Sequence, residues 1–319
     1  MKKIINTIAI LSTLFLIVRC DDILEEDISN DIVTTVSPEN DSTINGNSVQ
    51  FRWTGLKGAS DYRIQVIEES TQKNVLDSLV KGDNFLINLN PGQYNWRIRA
   101  ENFAYQTAYT FPLSFLLASS TDLSIQTLFL NSPTQNFYTN KSTIIVTWDK
   151  IQTATSYTLE IDKTINGTTS TETQIENLTA NSYTIDAAIL KDDAVYEWKV
   201  KAVNESSETA FSSRKILLDT QNPNQPSLST PAENAVTKET VDFVWVLGTD
   251  SGEVKSPVTS VIEIATDINF TNIVQTESVD KPSIQINFST KGIYYWRVKL
   301  LDKAGNESNF SKERKFTVE

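Results

Sequence analysis

Histidine is absent from the 319-residue chain, and cysteine occurs once, at Cys20. Without histidine, the chain lacks the most common general base near neutral pH and the most common protein ligand for transition metals. Ser-His-Asp triads, Cys-His dyads and zinc sites of the His/Cys type are therefore excluded. A single cysteine cannot form a disulfide within the chain. We predict a non-enzymatic protein with no metal site and no cofactor.

Basic residues are in the minority, with 28 Lys and Arg against 40 Asp and Glu, for a formal net charge of −12. Nucleic-acid binding depends on Lys and Arg side chains that neutralise phosphates. Because an acidic surface repels a phosphate backbone, we expect no nucleic-acid partner. The acidity otherwise favours solubility and says little about the fold.

Long apolar runs are lacking beyond the N-terminus. There, two lysines precede an apolar-rich stretch over residues 4–18. A charged start followed by about 15 apolar-rich residues is typical of a secretory signal peptide and is short for a membrane span. The end of the stretch, Leu-Ile-Val-Arg-Cys, resembles the lipobox of bacterial lipoproteins, although Arg19 stands where that family usually has a small residue. The resemblance implies a signal peptide over residues 1–19 and lipidation of Cys20.

An acidic stretch, Asp-Asp-Ile-Leu-Glu-Glu-Asp, follows the cysteine directly. It resembles the surface-export signal of Bacteroidota-type lipoproteins, which implies a lipid-anchored protein of the outer membrane, exposed at the cell surface. Residues 20–32 are charge-rich and lack strand periodicity, so we predict an acidic, disordered tether. The alternatives are an uncleaved anchor helix, and a signal peptide with a coincidental cysteine.

All six tryptophans follow one template that is written three times. In each copy, a Ser/Thr-Pro pair precedes a first tryptophan by 14 or 15 residues, and a Tyr-x-Trp strand follows with its tryptophan 43 to 51 residues later. The prolines, first tryptophans, tyrosines and second tryptophans are Pro38, Trp53, Tyr94 and Trp96; Pro133, Trp148, Tyr196 and Trp198; and Pro231, Trp245, Tyr294 and Trp296. Corresponding tryptophans recur every 95 to 102 residues, a repeat length typical of seven-stranded antiparallel sandwiches.

Apolar and polar residues alternate in the strands of each copy, as in Phe111, Leu113 and Phe115 at the end of the first. Period 2 indicates one buried face and one solvated face. The outer faces of the Tyr-x-Trp strands are basic, and we interpret them as solvated faces whose charges pair with acidic residues across strands. These outer residues are Arg97, Arg99, Lys199, Lys201, Arg297 and Lys299.

Taken together, these motifs resemble fibronectin type III modules. The tryptophan that ends the second strand, the tyrosine that opens the third, and Tyr-x-Trp-Arg/Lys-Val/Ile-x carry the resemblance over nearly everything from residue 33 onward. It implies an all-β protein of three tandem seven-stranded sandwiches at residues 33–117, 126–219 and 225–319. It also implies that the six tryptophans are core residues and that Tyr94, Tyr196 and Tyr294 form tyrosine corners, each hydroxyl bonding upstream backbone.

The third copy departs from the template after its first tryptophan. In the first two copies another alternating strand starts nine residues after that tryptophan, at Tyr62 and Tyr157. In the third, the matching run begins at Ile262, eight residues late. An insertion rich in turn formers accounts for the delay.

Four oxygen-bearing side chains lie in predicted loops of the third copy: Asp250, Glu253, Asp302 and Asn306. They could ligate calcium, but their spacing matches no dedicated calcium loop. Turn formation explains these residue types better. We therefore predict turns at these positions.

Phe103 and Tyr105 do not belong to the recurring aromatic positions of the three copies, and they lie in the predicted loop before the last strand of the first copy. Exposed loop aromatics can stack on sugar rings or on peptide side chains, so these two are the candidate ligand-binding residues. The simpler alternative is that they pack against the linker or the neighbouring module.

The sequence favours a membrane-anchored, non-enzymatic stalk for adhesion, scaffolding or ligand presentation, with a protein or glycan partner at the cell surface. This functional expectation depends on fold analogy, and fold does not dictate function. One alternative is an accessory glycan-binding lipoprotein of a polysaccharide-utilisation system. Another is an accessory chain whose modules space a catalytic partner.

Overall fold

The computed structural model describes residues 25–319, whose regular secondary structure is almost entirely β-strand. Three copies of one arrangement follow one another, each made of a three-stranded and a five-stranded sheet. The predicted all-β fold of three tandem sandwiches is thereby confirmed. By contacts the chain forms two compact units. One holds the described residues up to Ile44 with Val49–Ala118, and the other holds Asn45–Ser48 with Ser119–Glu319.

Module one contains eight strands. Its sheets have the orders β1-β3-β6 and β2-β8-β7-β4-β5. The strands are β1 (Thr35–Ser37), β2 (Ser42–Asn45), β3 (Ser48–Trp53), β4 (Asp61–Glu68), β5 (Lys73–Val80), β6 (Asn84–Asn88), β7 (Gly92–Glu101) and β8 (Leu113–Ala118).

Module two repeats this arrangement after a short 3₁₀ turn at Leu123–Ile125. Its sheets have the orders β14-β11-β9 and β10-β16-β15-β12-β13. The strands are β9 (Leu130–Ser132), β10 (Phe137–Thr139), β11 (Ile144–Trp148), β12 (Ser156–Ile165), β13 (Thr168–Leu178), β14 (Ser182–Ile185), β15 (Ala194–Val203) and β16 (Ser212–Leu218).

Module three has the sheet orders β17-β19-β22 and β18-β24-β23-β20-β21. The strands are β17 (Ser227–Thr230), β18 (Ala235–Thr237), β19 (Thr240–Val246), β20 (Val258–Ala265), β21 (Ile273–Val279), β22 (Ser283–Asn287), β23 (Gly292–Asp302) and β24 (Arg314–Val318).

Each module has eight strands where the sequence predicts seven, because the first strand is divided in two. The division falls at Pro38, Pro133 and Pro231. Proline has no N–H to donate to a β-ladder. The chain therefore leaves the small sheet at the proline and joins the large one, where β10 pairs in parallel with β16 and β18 with β24.

Each module encloses its own apolar core. Burial alternates along the strands, so that β3 buries Val49, Phe51 and Trp53 and exposes the residues between them. All six tryptophans are 3% exposed or less. At ~25 cal/mol per Å² and 150–250 Å² per ring, each buried indole contributes roughly 4–6 kcal/mol of transfer free energy. The tryptophan template therefore marks the three cores.

The ordered part of module one starts earlier than the sequence predicts. Ile28 is fully buried in the module's core, and Glu26 pairs with Lys57 at 3.1 Å. The predicted disordered tether is therefore wrong for residues 25–32, because an apolar side chain in this charge-rich segment has a core to enter. The predicted signal peptide, Cys20 and the start of the tether lie outside the described residues.

The segment before module two also packs earlier than predicted. Leu123 is fully buried in the core of module two, although the predicted boundary is residue 126. Within residues 25–319, no helix has the length and apolarity needed to span a bilayer.

Candidate functional site

Phe103 and Tyr105, the predicted ligand-binding residues, lie in the connection between β7 and β8. Phe103 is 95% exposed and Tyr105 is 40% exposed. Asn102 fixes the turn, because its Oδ1 accepts hydrogen bonds from the backbone N–H groups of Ala104 at 3.1 Å and Tyr105 at 2.7 Å. The two rings are therefore presented to solvent on an ordered backbone.

Phe111 is a third exposed aromatic in the same connection, and it is 93% exposed. Its predicted place in the inward-facing run is wrong, because β8 starts only at Leu113, after Pro112. The strand buries Phe115 and leaves Phe111 outside. We call Phe103, Tyr105 and Phe111 the aromatic loop of module one.

Five of the six basic residues on the outer faces pair with acidic residues, as the sequence predicts, whereas Arg97 donates from Nε to Oε1 of Gln65 at 2.9 Å. The ion pairs are Arg99–Glu101, Lys199–Glu160, Lys199–Asp162, Lys201–Glu208, Arg297–Glu263 and Lys299–Glu307. The rings of Tyr109, Phe211 and Phe310 cover the same faces, with cations 3.8–5.4 Å from the ring centroids. These faces are therefore structural and do not form an anion site.

The tyrosine of each Tyr-x-Trp strand bonds backbone four residues upstream. Tyr94 donates to the carbonyl of Asn90 at 2.7 Å, and Tyr294 to that of Thr290 at 2.9 Å. Tyr196 donates to the carbonyl of Asp192 at 3.3 Å. This is the tyrosine-corner geometry, and it ties each large sheet to the preceding loop.

Three segments meet at one end of each module: the segment that leads into the module, the loop after the first tryptophan, and the turn after the Tyr-x-Trp strand. We call this the three-segment junction. In modules one and two an asparagine, Asn102 or Asn204, donates from Nδ2 to one carbonyl of the leading segment and one of the loop. The carbonyls belong to Glu26 and Gly58 in module one, at 2.8 and 2.9 Å, and to Thr121 and Thr153 in module two, at 2.9 and 3.2 Å.

In module three the corresponding position is Asp302, six residues after the second tryptophan, as Asn102 and Asn204 are after theirs. Its carboxylate meets Asp219 of the leading segment and Asp250 of the loop, with one oxygen from each residue within 4.8 Å of the others. Asp219 is 0% exposed and Asp302 is 4% exposed. The three-segment junction of module three thus holds three carboxylates, which we call the acidic cluster.

Protein hydrogen bonds satisfy most of the acidic cluster. Asp219 accepts from the backbone N–H of Gln221 and from the N–H and hydroxyl of Ser256. Asp302 accepts from the backbone N–H groups of Gly305 and Asn306, both at 2.7 Å, and from Asn306 Nδ2 at 2.9 Å. All of these donors are neutral, so they leave the negative charge of the cluster uncompensated.

The charge of the acidic cluster is costly where it stands. Burial raises the pKa of Asp219 above its ordinary value, and the charge of Asp250 raises it further, against the hydrogen bonds from Ser256 and Gln221. At an effective dielectric constant of ~20, two unit charges about 5 Å apart repel by roughly 3 kcal/mol. Repulsion within the cluster therefore opposes the simultaneous ionisation of all three carboxylates.

Asp250 is supplied by the insertion of module three. Cross-strand pairing places Ser260 opposite Leu300, as Tyr62 lies opposite Ala100. Ser260 follows its tryptophan by 15 residues and Tyr62 by nine, so the insertion is six residues long. The predicted delay of eight residues is wrong because Ser260, which is polar, occupies the aromatic position that starts the run in the other copies.

The insertion is docked against module two. Val254 donates its N–H to Asp193 at 2.7 Å, and Ser256 donates to Asp219. Glu253 accepts from the N–H of Asn166, at the turn of the β12–β13 hairpin, at 2.8 Å. The extra residues of module three therefore fix its position on module two.

The prediction of turns at Asp250, Glu253, Asp302 and Asn306 is correct only in part, because Asp302 is the last residue of β23 while the other three lie in loops. Asp250 and Asp302 do accept from turn N–H groups, at Gly252 and at Gly305. The structure also brings Asp250 and Asp302 together with Asp219, which was not among the candidate residues predicted from the sequence. Glu253 lies outside this cluster and contacts Asn166 of module two. Asp219 directly follows a strand and begins a linker, and no local signal marks it as a site residue.

No family model matches the chain, and no curated protein matches it. Among solved structures, it is similar to the FN1–FN3 domains of chicken CNTN1, with 16% identity and a TM-score of 0.46, over 90% of this chain and 97% of that one. The strand orders themselves decide the fold, because each module pairs its first, second and fifth main strands in one sheet and the remainder in the other. The modules have the fibronectin type III-like fold.

Proposed function

We propose that this chain is a non-enzymatic surface lipoprotein, held in the outer membrane by a lipid on Cys20, that acts as a stalk for adhesion, scaffolding or ligand presentation. The observation that supports it best is the aromatic loop of module one. Phe103 and Phe111 are more than 90% exposed, whereas six other rings of that module are buried in its core: Phe51, Trp53, Tyr62, Tyr94, Trp96 and Phe115. Exposed apolar patches mark interaction sites, and these exposed rings all lie on one connection between strands.

The test of presentation is surface cross-linking on intact cells with the full chain. The double variant Phe103→Ala, Phe111→Ala should lose the cross-linked partner and keep the thermal midpoint, since neither ring is buried. Val236→Ala on module three is the matched control, because Val236 is an exposed apolar residue too. Retention of the partner by the double variant would show that the loop is not the binding surface.

The test of anchoring is separate. Cys20→Ala should release the protein from the membrane fraction and abolish labelling by a fatty-acid analogue. Membrane retention of the unlabelled variant would contradict the lipid anchor and leave the loop experiment unaffected.

Glycan binding is the second candidate function, and the exposure of both Phe103 and Tyr105 in the turn that Asn102 fixes supports it. Aromatic rings on a fixed backbone can stack on sugar rings. In that case polysaccharide binding should be measurable and should fall at least tenfold in Phe103→Ala, Tyr105→Ala. A pure protein-binding stalk would give no signal in the same glycan screen.

A further inference from the structure

We propose that the acidic cluster binds one Ca²⁺ ion, which joins modules two and three. The ligands are carboxylate oxygens of Asp219, Asp250 and Asp302. This proposal goes beyond the stalk function, which requires no ion at this position, and it assigns a role to the insertion that distinguishes module three.

An unpartnered oxygen is the first observation behind the proposal. Oδ2 of Asp250 is buried and has no hydrogen-bond partner, whereas its Oδ1 accepts from the N–H of Gly252 at 3.0 Å. A buried carboxylate oxygen without a partner is unfavourable by several kcal/mol in general, and native structures rarely leave one so. Asp250 is one of the three residues of the acidic cluster, which Asp219 and Asp302 complete.

Missing positive charge is the second observation. Among residues 25–319, no Lys or Arg forms an ion pair with any of the three carboxylates. Lys303, next in sequence to Asp302, directs its ammonium over the ring of Tyr138 at 5.2 Å instead. Buried charges generally form ion pairs or coordinate metals. Since the carboxylates of the acidic cluster form no ion pair with the described Lys and Arg residues, we consider a metal ion.

The ligand chemistry and spacing select calcium. All three ligands are carboxylate oxygens, which hard cations prefer. At bond lengths of 2.3–2.6 Å, two ligands across a Ca²⁺ ion are separated by up to about 5 Å, whereas Mg²⁺ at 2.0–2.1 Å allows only about 4 Å. The cluster oxygens lie within 4.8 Å of one another, and all separations up to that limit are compatible with Ca²⁺. The chain has no histidine, and its single cysteine lies outside the cluster, so softer metals gain no preferred ligand here.

The other modules show what the ion replaces. At the same junction, the Nδ2 group of Asn102 or Asn204 lies between oxygens of the leading segment and the loop and donates to both. Asp302 puts an acceptor at that position, and the segments around it supply two more carboxylates. Asn306 Nδ2 supplies one donor there, to the carbonyl of Asp219 and to Oδ2 of Asp302, both at 2.9 Å. A cation would add an attraction between the carboxylates of all three segments.

The site bridges two modules because its ligands come from different parts of the chain. Asp219 directly follows β16 of module two, Asp302 ends β23 of module three, and Asp250 lies in the insertion that contacts module two. Ion binding should therefore stiffen the connection between modules two and three. Removal of the ion should loosen it without unfolding either core, since no core residue is a ligand.

The decisive experiment titrates the full mature chain, stripped with EDTA, with Ca²⁺ and with Mg²⁺ by calorimetry, and repeats it with two variants. Asp250→Asn replaces the carboxylate that carries the unpartnered oxygen with a neutral amide. The side chain is partly exposed, so the change should not disturb the core. Glu253→Gln changes the same loop outside the cluster and retains an acceptor for the Asn166 N–H. Circular dichroism establishes that both variants are folded.

We expect one Ca²⁺ per chain with a Kd on the order of 10⁻⁴ M or tighter, comparable to extracellular calcium modules. Mg²⁺ should bind at least tenfold more weakly. Asp250→Asn should weaken Ca²⁺ binding at least tenfold, and Glu253→Gln should leave it within about twofold. Absence of saturable Ca²⁺ binding in the folded wild-type chain would overturn the proposal, and so would equal affinities of the two variants.

A second measurement localises the effect. Calcium should slow amide hydrogen exchange in the 219–225 linker and in residues 248–257, and Asp250→Asn should abolish that protection. Protection spread evenly over the acidic surface, or none at these two segments, would contradict a bridging ion.

Discussion

In module two, Asn204 donates to the carbonyls of Thr121 and Thr153 and so ties the leading segment to the loop. In module three, Asp302 occupies the corresponding position and meets two further carboxylates. The backbone arrangement of the junction is shared, yet the central side chain changes from a donor to an acceptor. The fold therefore fixes where three segments meet, and the residue at the central position decides whether a donor or a carboxylate stands there.

The loop of the junction differs in the same way. In module two, the hydroxyl of Tyr157 accepts from the N–H of Ile151 at 3.1 Å, and its ring packs 5.5 Å from that of Trp148. In module three, Ser260 takes the tyrosine's position and accepts from Nε1 of Trp245 at 2.9 Å. Because serine is too short to hold the loop, the loop of module three is free to lengthen and to dock on module two.

Replacement of Tyr157 by serine imposes the module-three residue on module two and should have the largest effect. It removes a buried ring and the hydrogen bond to Ile151, so we expect a loss of about 3–5 kcal/mol in unfolding free energy. Urea unfolding of the full chain, with hydrogen exchange of module-two peptides, measures it.

Tyr157→Phe is the control, because it keeps the ring and should cost only about 1–2 kcal/mol. Equal losses in the two variants would mean that the hydroxyl, and not the packing, holds the loop of module two.

An exchange of the two central side chains tests the junctions directly and should have an intermediate effect. Asn204→Asp replaces a donor with a charge that faces two carbonyls, so module two should lose about 2–3 kcal/mol. Asp302→Asn relieves like-charge repulsion, so in EDTA it should be neutral or stabilising by about 1 kcal/mol. Thermal unfolding in EDTA compares the two variants, and a similar loss in both would end the distinction between donor and acceptor junctions.

The framework of this protein was predictable because its signals are local. Period-2 alternation predicted where the strands lie. The buried tryptophans recur at nearly constant spacing because each module core contains two of them at the same positions. The acidic cluster was not predictable in the same way. Asp219, Asp250 and Asp302 lie 31 and 52 residues apart in the chain, and only strand pairing brings them together. The position of Phe111 was predicted wrongly because the apolar alternation extends back beyond Pro112, whereas β8 begins only at Leu113.

The smallest expected effect is on the pH dependence of stability. It distinguishes the junction of module three, which holds three carboxylates, from that of module two. Burial, and then the charge of Asp250, raise the pKa of Asp219 in the folded protein, with Asp302 as the other carboxylate of the cluster. Between the ordinary value near 4 and the raised pKa, the folded chain binds more protons than the unfolded chain, so stability must fall as pH rises. The stabilising contribution is complete below about pH 4 and is lost as pH rises through the raised pKa.

Thermal midpoints in EDTA should show this decline in wild type, and Asp219→Asn should flatten it, because the amide does not titrate. Asp77→Asn on module one is the contrasting control. Hydrogen bonds from Gln65 and Arg63 lower the pKa of Asp77, so its removal should not flatten the decline. About 10 mM CaCl₂, roughly 100 times a Kd of 10⁻⁴ M, should cancel the decline, since an ion that binds the carboxylates stabilises their charged form. If the thermal midpoint of Asp219→Asn still falls as pH rises, other groups cause the pH dependence. The junction of module three would then be no more sensitive to charge than that of module two.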